Sequence, residues 1–211
     1  MNPYDFDYFE RGISTGKSGY ENYRWIPELT IPMAMSIIDY LDIKRFQRVL
    51  DFGCAKGYLV KALRMLGRDA WGLDVSHYAI NQVDVETKTF CGVCTEDLIV
   101  ASNPLMPCSF EYGIAKDVFE HIEEGNLGKV LVNIPCTTLF VVVPLGNGEK
   151  YNVPAYQMDV THITCQPLDW WKSLFEEYGW EVVRSVYRIE GIKDNWAMYE
   201  DGNGFFTLRR R

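Results

Sequence analysis

The chain has no apolar run long enough to cross a bilayer. Its longest, Leu139 to Val143, falls far short of the roughly 20 residues a spanning helix needs. No leader is expected either: the start, MNPYDFDYFE, is acidic and aromatic, without the basic-then-apolar order of a secretory signal. No internal repeat and no low-complexity linker interrupt it. Positive charge is in deficit. A formal net charge of −8 repels nucleic acid and anionic membranes, and the one basic run, Arg209-Arg210-Arg211, reads as a solvated terminus. Six scattered cysteines offer one close pair, Cys91-Gly92-Val93-Cys94. That is half a zinc or redox site with no second half, so the thiols are expected to pack as small apolar groups. Histidine is scarce, with only His77, His121 and His162 present. These absences leave a soluble cytoplasmic protein with no nucleic-acid or membrane partner as the expectation.

What is present is ordinary globular composition, 47% apolar and 24% charged over 211 residues, enough for one domain with a substantial core. Residues 1–27, rich in Tyr, Phe and Gly, predict a largely irregular arm. Thr30 predicts a helix cap with Pro32 in the first turn, and Met33, Ile37, Ile38 and Leu41 supply its apolar face. Apolar runs then alternate with helical segments. Strands are expected at Arg48–Phe52, Ala70–Asp74, Thr89–Val93, Glu111–Ala115 and Leu139–Pro144. Helices are expected at Tyr58–Leu66, Ser76–Val83, Val118–Ile134 with a break at Gly125, and Pro167–Tyr178, closed by Gly179. Two late strands, Trp180–Ile189 and Phe205–Arg210, have no helix between them and predict an antiparallel hairpin. The resulting fold class is α/β: a Rossmann-like, doubly wound, mostly parallel seven-stranded sheet with helices on both faces. The single domain, 1–211, divides into an arm and helix (1–45) lying over the site and a core (46–211).

The stretch VLDFGCAKGYL, Val49 to Leu59, sets a strand against a glycine-spaced turn and then a helix. In an open parallel sheet, ligands bind beyond the strand carboxyl ends where strand order reverses, which places Gly53 to Gly57 at that crevice. Glycines there admit a ligand close to the backbone, and the helix N-terminus favours an anionic group. The next strand ends at Asp74, a position from which a carboxylate can accept both hydroxyls of a ribose. A dinucleotide site would use similar geometry, but it wants G-x-G-x-x-G, and this turn reads G-C-A-K-G. A tight turn without a ligand is the bland reading of the same residues.

Three further segments, WGLDVS, CSFEYGIAKDVFEHI and LFVVVPLG, follow in order. With VLDFGCAKG and the late DVTHITCQPLDWWKSLFEEYGWEVV, the chain resembles the class I S-adenosylmethionine-dependent methyltransferases over residues 45–211. It departs from them at Ala55, which stands where that family has its middle glycine, and at Glu111, where aspartate is commoner. The resemblance implies S-adenosylmethionine as cofactor. Gly53, Cys54 and Gly57 would let the backbone approach its methionine end, with Asp51 supporting the ammonium. Asp74 would hold the ribose and Val75 would flank the adenine. Glu96 or Asp97 would meet the adenine amino group, and the Lys116 carbonyl would lie near the methionine. Tyr20, Tyr23 and Trp25 of the arm would fold over the donor, or simply pack the arm onto the sheet.

A sulfonium is already activated, so the protein's task is to align an acceptor for in-line attack and, for a hydroxyl, to take its proton. His121 is the first candidate base and His162 the second, against helix capping or core hydrogen bonding; His77 is expected away from the methyl group. Asp117, Glu120 and His121, at i, i+3 and i+4, would share one helix face. Their spacing is similar to the E-x-x-E-H of ubiquinone-pathway O-methyltransferases, which implies a possible divalent cation on that trio. The expected acceptor is a small molecule or glycan, methylated at oxygen; Arg11, Lys17 and Arg24 would meet an anionic one. Methylation of protein or nucleic acid, and donor binding without turnover, are the competing readings.

Overall fold

A computed structural model describes residues 2–95, 103 and 105–211. One seven-stranded sheet runs in the order β3-β2-β1-β4-β5-β7-β6. Its parallel part is β1 (Arg48–Phe52), β2 (Asp69–Asp74), β3 (Cys91–Val93), β4 (Phe110–Lys116) and β5 (Cys136–Pro144). β7 (Asn203–Arg210) lies antiparallel to both β5 and β6 (Trp180–Val186), so the expected hairpin is present.

Alternation in β5 shows how the sheet builds two cores. Leu139, Val141 and Val143 join the cluster containing Trp171, Phe175 and Trp180, whereas Phe140 and Val142 join the one containing Ile37, Leu63 and Ile80. A period of two along a strand buried on both faces requires this division. α7 (Glu124–Asn133) and α8 (Leu168–Glu177) cover the first face. α3 (Pro27–Leu41) and α4 (Tyr58–Met65) cover the second.

Three local expectations fail for identifiable reasons. α3 starts a turn earlier than Thr30, because Pro27 takes the first helical position, where a fixed φ and a missing N–H cost nothing. Thr30 lies inside the helix, its hydroxyl donating to the Ile26 carbonyl at 3.1 Å. The arm, expected to be largely irregular, holds two unexpected short helices, α1 (Phe6–Glu10), capped by Asp5, and α2 (Gly12–Thr15). Aromatic packing onto α5 (His77–Asn81) holds it, and periodicity carries no signal for helices this short. The helix expected over Val118–Ile134 breaks at Ile122 and Glu123, which are extended, and not at Gly125, which sits within α7. What precedes the break is a 3₁₀ turn at Phe119–His121.

Candidate active site

The strand order reverses between β1 and β4, so their carboxyl ends open the crevice. The glycine turn and Asp74 meet at one lip of it. Gly53 and Cys54 donate their N–H groups to the Leu73 carbonyl at 2.7 and 3.0 Å. One Asp74 carboxylate oxygen accepts the Ala55 N–H and the other the Ser76 N–H, both at 2.7 Å. Asp74 is 8% exposed, and burial raises its pKa while those two N–H groups work against the rise.

Gly53 (φ +79°) cannot be replaced cheaply: a Cβ there would lie 2.4 Å from Val118 Cγ2. Gly57 (φ +72°) faces inward, where a Cβ would come within 3.0 Å of Cys91 Sγ. It begins α4 and packs the turn, and it does not border the crevice cavity. Ala55 adopts φ +48°, the left-handed region the missing glycine would occupy without strain. Cys54, Cys91 and Cys94 are buried free thiols.

A cavity of about 340 Å³ opens beside this turn, bordered by Asp51, Gly53, Cys54 and Lys116 on the sheet side and by Tyr20, Tyr23 and Arg24 on the arm side. Burial first, and then the Asp74 charge, push the Asp51 carboxyl up to about 7 against the pull of Lys116. An ammonium arriving beside it would restore the charged form. The expected arm cations divide. Arg24 borders the cavity, whereas Arg11 pairs with Asp7, and Lys17 with Asp5 and Asp7. Trp25 packs on Tyr58 and Lys61 and does not itself border the cavity.

The arm closes the other end of the crevice. Asn2 Nδ2 donates to the Val75 carbonyl and Ser76 Oγ to the Tyr4 carbonyl, both at 2.6 Å. Tyr8, Phe9, Tyr20, Tyr23 and Tyr78 cluster over Ala55. Sequence reasoning missed the anchor: Lys56, inside the glycine turn, is buried against Glu10 and donates to the Tyr23 carbonyl at 2.6 Å. A lysine in a turn expected to offer only backbone was the available signal. Asp97, with Glu96, lies outside the described residues.

Beyond β4 the expected Asp117–Glu120–His121 face does not form. Asp117 is left-handed (φ +57°), which breaks helical spacing. Its carboxylate lies between the Lys116 and Lys193 ammoniums. Burial alone would raise that carboxyl, but the two lysines hold it well below the usual range. Glu120 and His121 meet His162 instead, the two rings 4.7 Å apart. Neither imidazole borders the cavity; Tyr4 stands edge-on to His121 at 5.7 Å.

The profile of the family described as "Methyltransferase domain" matches residues 30–185, about three quarters of the chain. The chain belongs to the methyltransferase-domain family. This methyltransferase is 31% identical over 83 residues to the ubiquinone biosynthesis O-methyltransferase of Paraburkholderia phymatum, a match covering 38% of this chain and 35% of that protein. It thus spans about a third of that relative's length. Its fold is shared with a chain of the complex between the Haloferax volcanii Trm112 methyltransferase activator and a methyltransferase, at TM-score 0.64 and 15% identity over 87% of this chain and 91% of the other. A SAM-dependent methyltransferase from Archaeoglobus fulgidus superposes at TM-score 0.61 and 15% identity, covering 84% and 92%. The fold implied by VLDFGCAKG and the motifs after it is therefore the observed one. Among the described residues no helix is long and apolar enough to cross a membrane.

Proposed function

We propose that this methyltransferase uses S-adenosylmethionine to methylate a hydroxyl of a small-molecule or glycan acceptor. The observation that carries the reading is the joint position of Asp74 and the Gly53–Gly57 turn at one lip of the crevice, with a cavity beside Asp51. Asp51 would pair with the donor's ammonium, Gly53 and Cys54 would lie against its methionine backbone, and Asp74 would take the ribose hydroxyls. Val75 would flank the adenine, and Tyr20 and Tyr23 would cover the sulfonium with their π faces. Transfer at oxygen is supported by the stretch shared with an O-methyltransferase, and an anionic acceptor by Arg24 in the cavity wall. Deprotonation of the hydroxyl by His121 or His162 would require the arm to turn Tyr4 aside, since neither ring reaches the cavity.

Calorimetry tests the donor half of this reading: S-adenosylmethionine is expected to bind the wild-type chain one to one. Donor labelled at the methyl group, incubated with a whole-cell extract that is afterwards fractionated into small molecules, protein and RNA, tests the rest. Label is expected in a base-stable ether, and label appearing in protein or RNA would overturn the acceptor class.

A further inference from the structure

Glu120 is the most conspicuous side chain that the donor site leaves unexplained. It is fully buried, and neither carboxylate oxygen has a hydrogen-bond partner. An orphaned buried carboxyl is costly unless something meets it. Its neighbours are prepared for the same visitor. His121 Nδ1 lies 2.8 Å from Thr161 Oγ1 and 3.2 Å from the Thr161 carbonyl. That hydroxyl already donates its proton to Asp159 at 2.6 Å, so both Thr161 oxygens accept and Nδ1 must carry the hydrogen. His162 Nδ1 lies 2.8 Å from the Tyr156 carbonyl, which can only accept. Each neutral ring is therefore held as the Nδ1–H tautomer, leaving an Nε2 lone pair without a proton. Fixing a ring by its far N–H on a carbonyl is how proteins orient metal-ligating histidines.

We propose that Glu120, His121 and His162 form a binding site for one divalent first-row transition-metal ion. Each of the three offers a ligand atom, and these atoms lie within 4.8 Å of one another. Bonds of about 2.0–2.2 Å would draw them closer, within the reach of small side-chain rotations. Two imidazoles and one carboxylate select Zn, Fe, Co or Ni over Mg or Ca, which prefer all-oxygen shells. The surrounding charge differs on the two sides. Asp159 stands 3.9 Å from His162 Nε2, so a cation among the three groups gains a second carboxylate nearby. Asp117, by contrast, is outnumbered by Lys116 and Lys193, so that side leaves one positive charge which the Glu120 carboxylate must offset when the ion binds. An ion here would tie the turn after β4 to the 159–164 segment beneath Tyr4. It would also occupy the lone pairs that proton abstraction needs, so an ion and an imidazole base exclude each other at these atoms.

The test needs no methyl transfer, and so fails independently of the donor reading. Metal-stripped full-length protein is titrated with Co2+ and followed by visible ligand-field absorption and calorimetry. One ion per chain is expected, displaced by Zn2+ and not by Mg2+. Glu120→Gln and His162→Gln should weaken Co2+ by more than the roughly 10–100-fold that losing an outer partner costs, while His77→Gln on the exposed side of α5 changes nothing. Should either ligand variant fail to fold, Thr161→Val retains all three ligands and should lose up to about 10-fold, because the His121 ring keeps only the longer contact to the residue 161 carbonyl. Failure to bind millimolar Co2+, equal displacement by Mg2+, or wild-type affinity in the folded variants would overturn the proposal.

Discussion

The two ends of the crevice are built alike, with both carboxyls buried (Asp51 5% and Asp74 8% exposed), and differ in what lies against them. At the β1 end, Asp51 faces a cavity. At the β2 end, Asp74 is buried beneath arm residues hydrogen-bonded to Val75 and Ser76. Both carboxyls end parallel strands beside the same turn, so the difference comes from what lies on them and not from the sheet. The lesson is that the conserved-looking half of such a site, strand plus turn plus acid, says nothing about access. Access is set by residues 2–24, which share none of its pattern.

The largest expected effect comes from removing the acid of the closed end. Asp74→Ala strips the Ala55 and Ser76 N–H groups of their acceptor and, under the proposed function, the ribose of its partner. Two charge-assisted bonds at about 1.5 kcal/mol or more each correspond to at least ~100-fold weaker donor binding by calorimetry. Wild-type affinity in this variant would mean that the closed end is not a donor seat at all.

The anchor of the arm should matter less, and in a different readout. Lys56→Met leaves Glu10 with only the Tyr78 hydroxyl, which donates to it at 2.9 Å. Breaking a mostly buried pair should loosen the arm by about 1–3 kcal/mol. Amide exchange in residues 5–23 is expected to accelerate by ~10-fold or more while the sheet stays protected. Uniform acceleration would show that the arm is part of the core and not a cover.

The open end is sharpened by pH. Its carboxyl sits at about 7, so Asp51 is protonated below that and charged above it. Donor affinity should therefore rise as pH climbs from 6 to 8, by about 10-fold, and the slope should vanish in Asp51→Asn. Stability carries the opposite sign. The folded protein holds this proton longer than the unfolded chain does, so the contribution is full below pH 4 and is lost as pH rises toward 7. Its full extent is about 4 kcal/mol. Melting curves across that window should fall for the wild type relative to Asp51→Asn.

The same contrast explains what could be read in advance. β1, the turn and α4 are contiguous, so VLDFGCAKGYL displays strand, bend and helix as neighbours, and Asp74 follows at a strand end that composition marks. The His121–His162 pair had no such contiguity. It forms because the loop after β5 folds back, with the Ile163 and Thr164 N–H groups on the Glu120 carbonyl at 2.9 Å, a contact with no local signature. Helical spacing at Asp117–His121 misled because one left-handed residue cancels it. The arm's short helices escaped because aromatic contacts, which carry no period, hold them.

Those arm contacts reach further than the β2 end of the crevice. The Lys17 carbonyl accepts the Val160 N–H at 3.1 Å, and the Tyr8 hydroxyl donates to Asp159 at 2.9 Å. The strap is thus stitched to both banks of the crevice, and lifting it unseals both in one stroke. For an enzyme built this way, the departure of spent donor and of methylated product would share a single gate, and throughput would be capped by how often that gate swings.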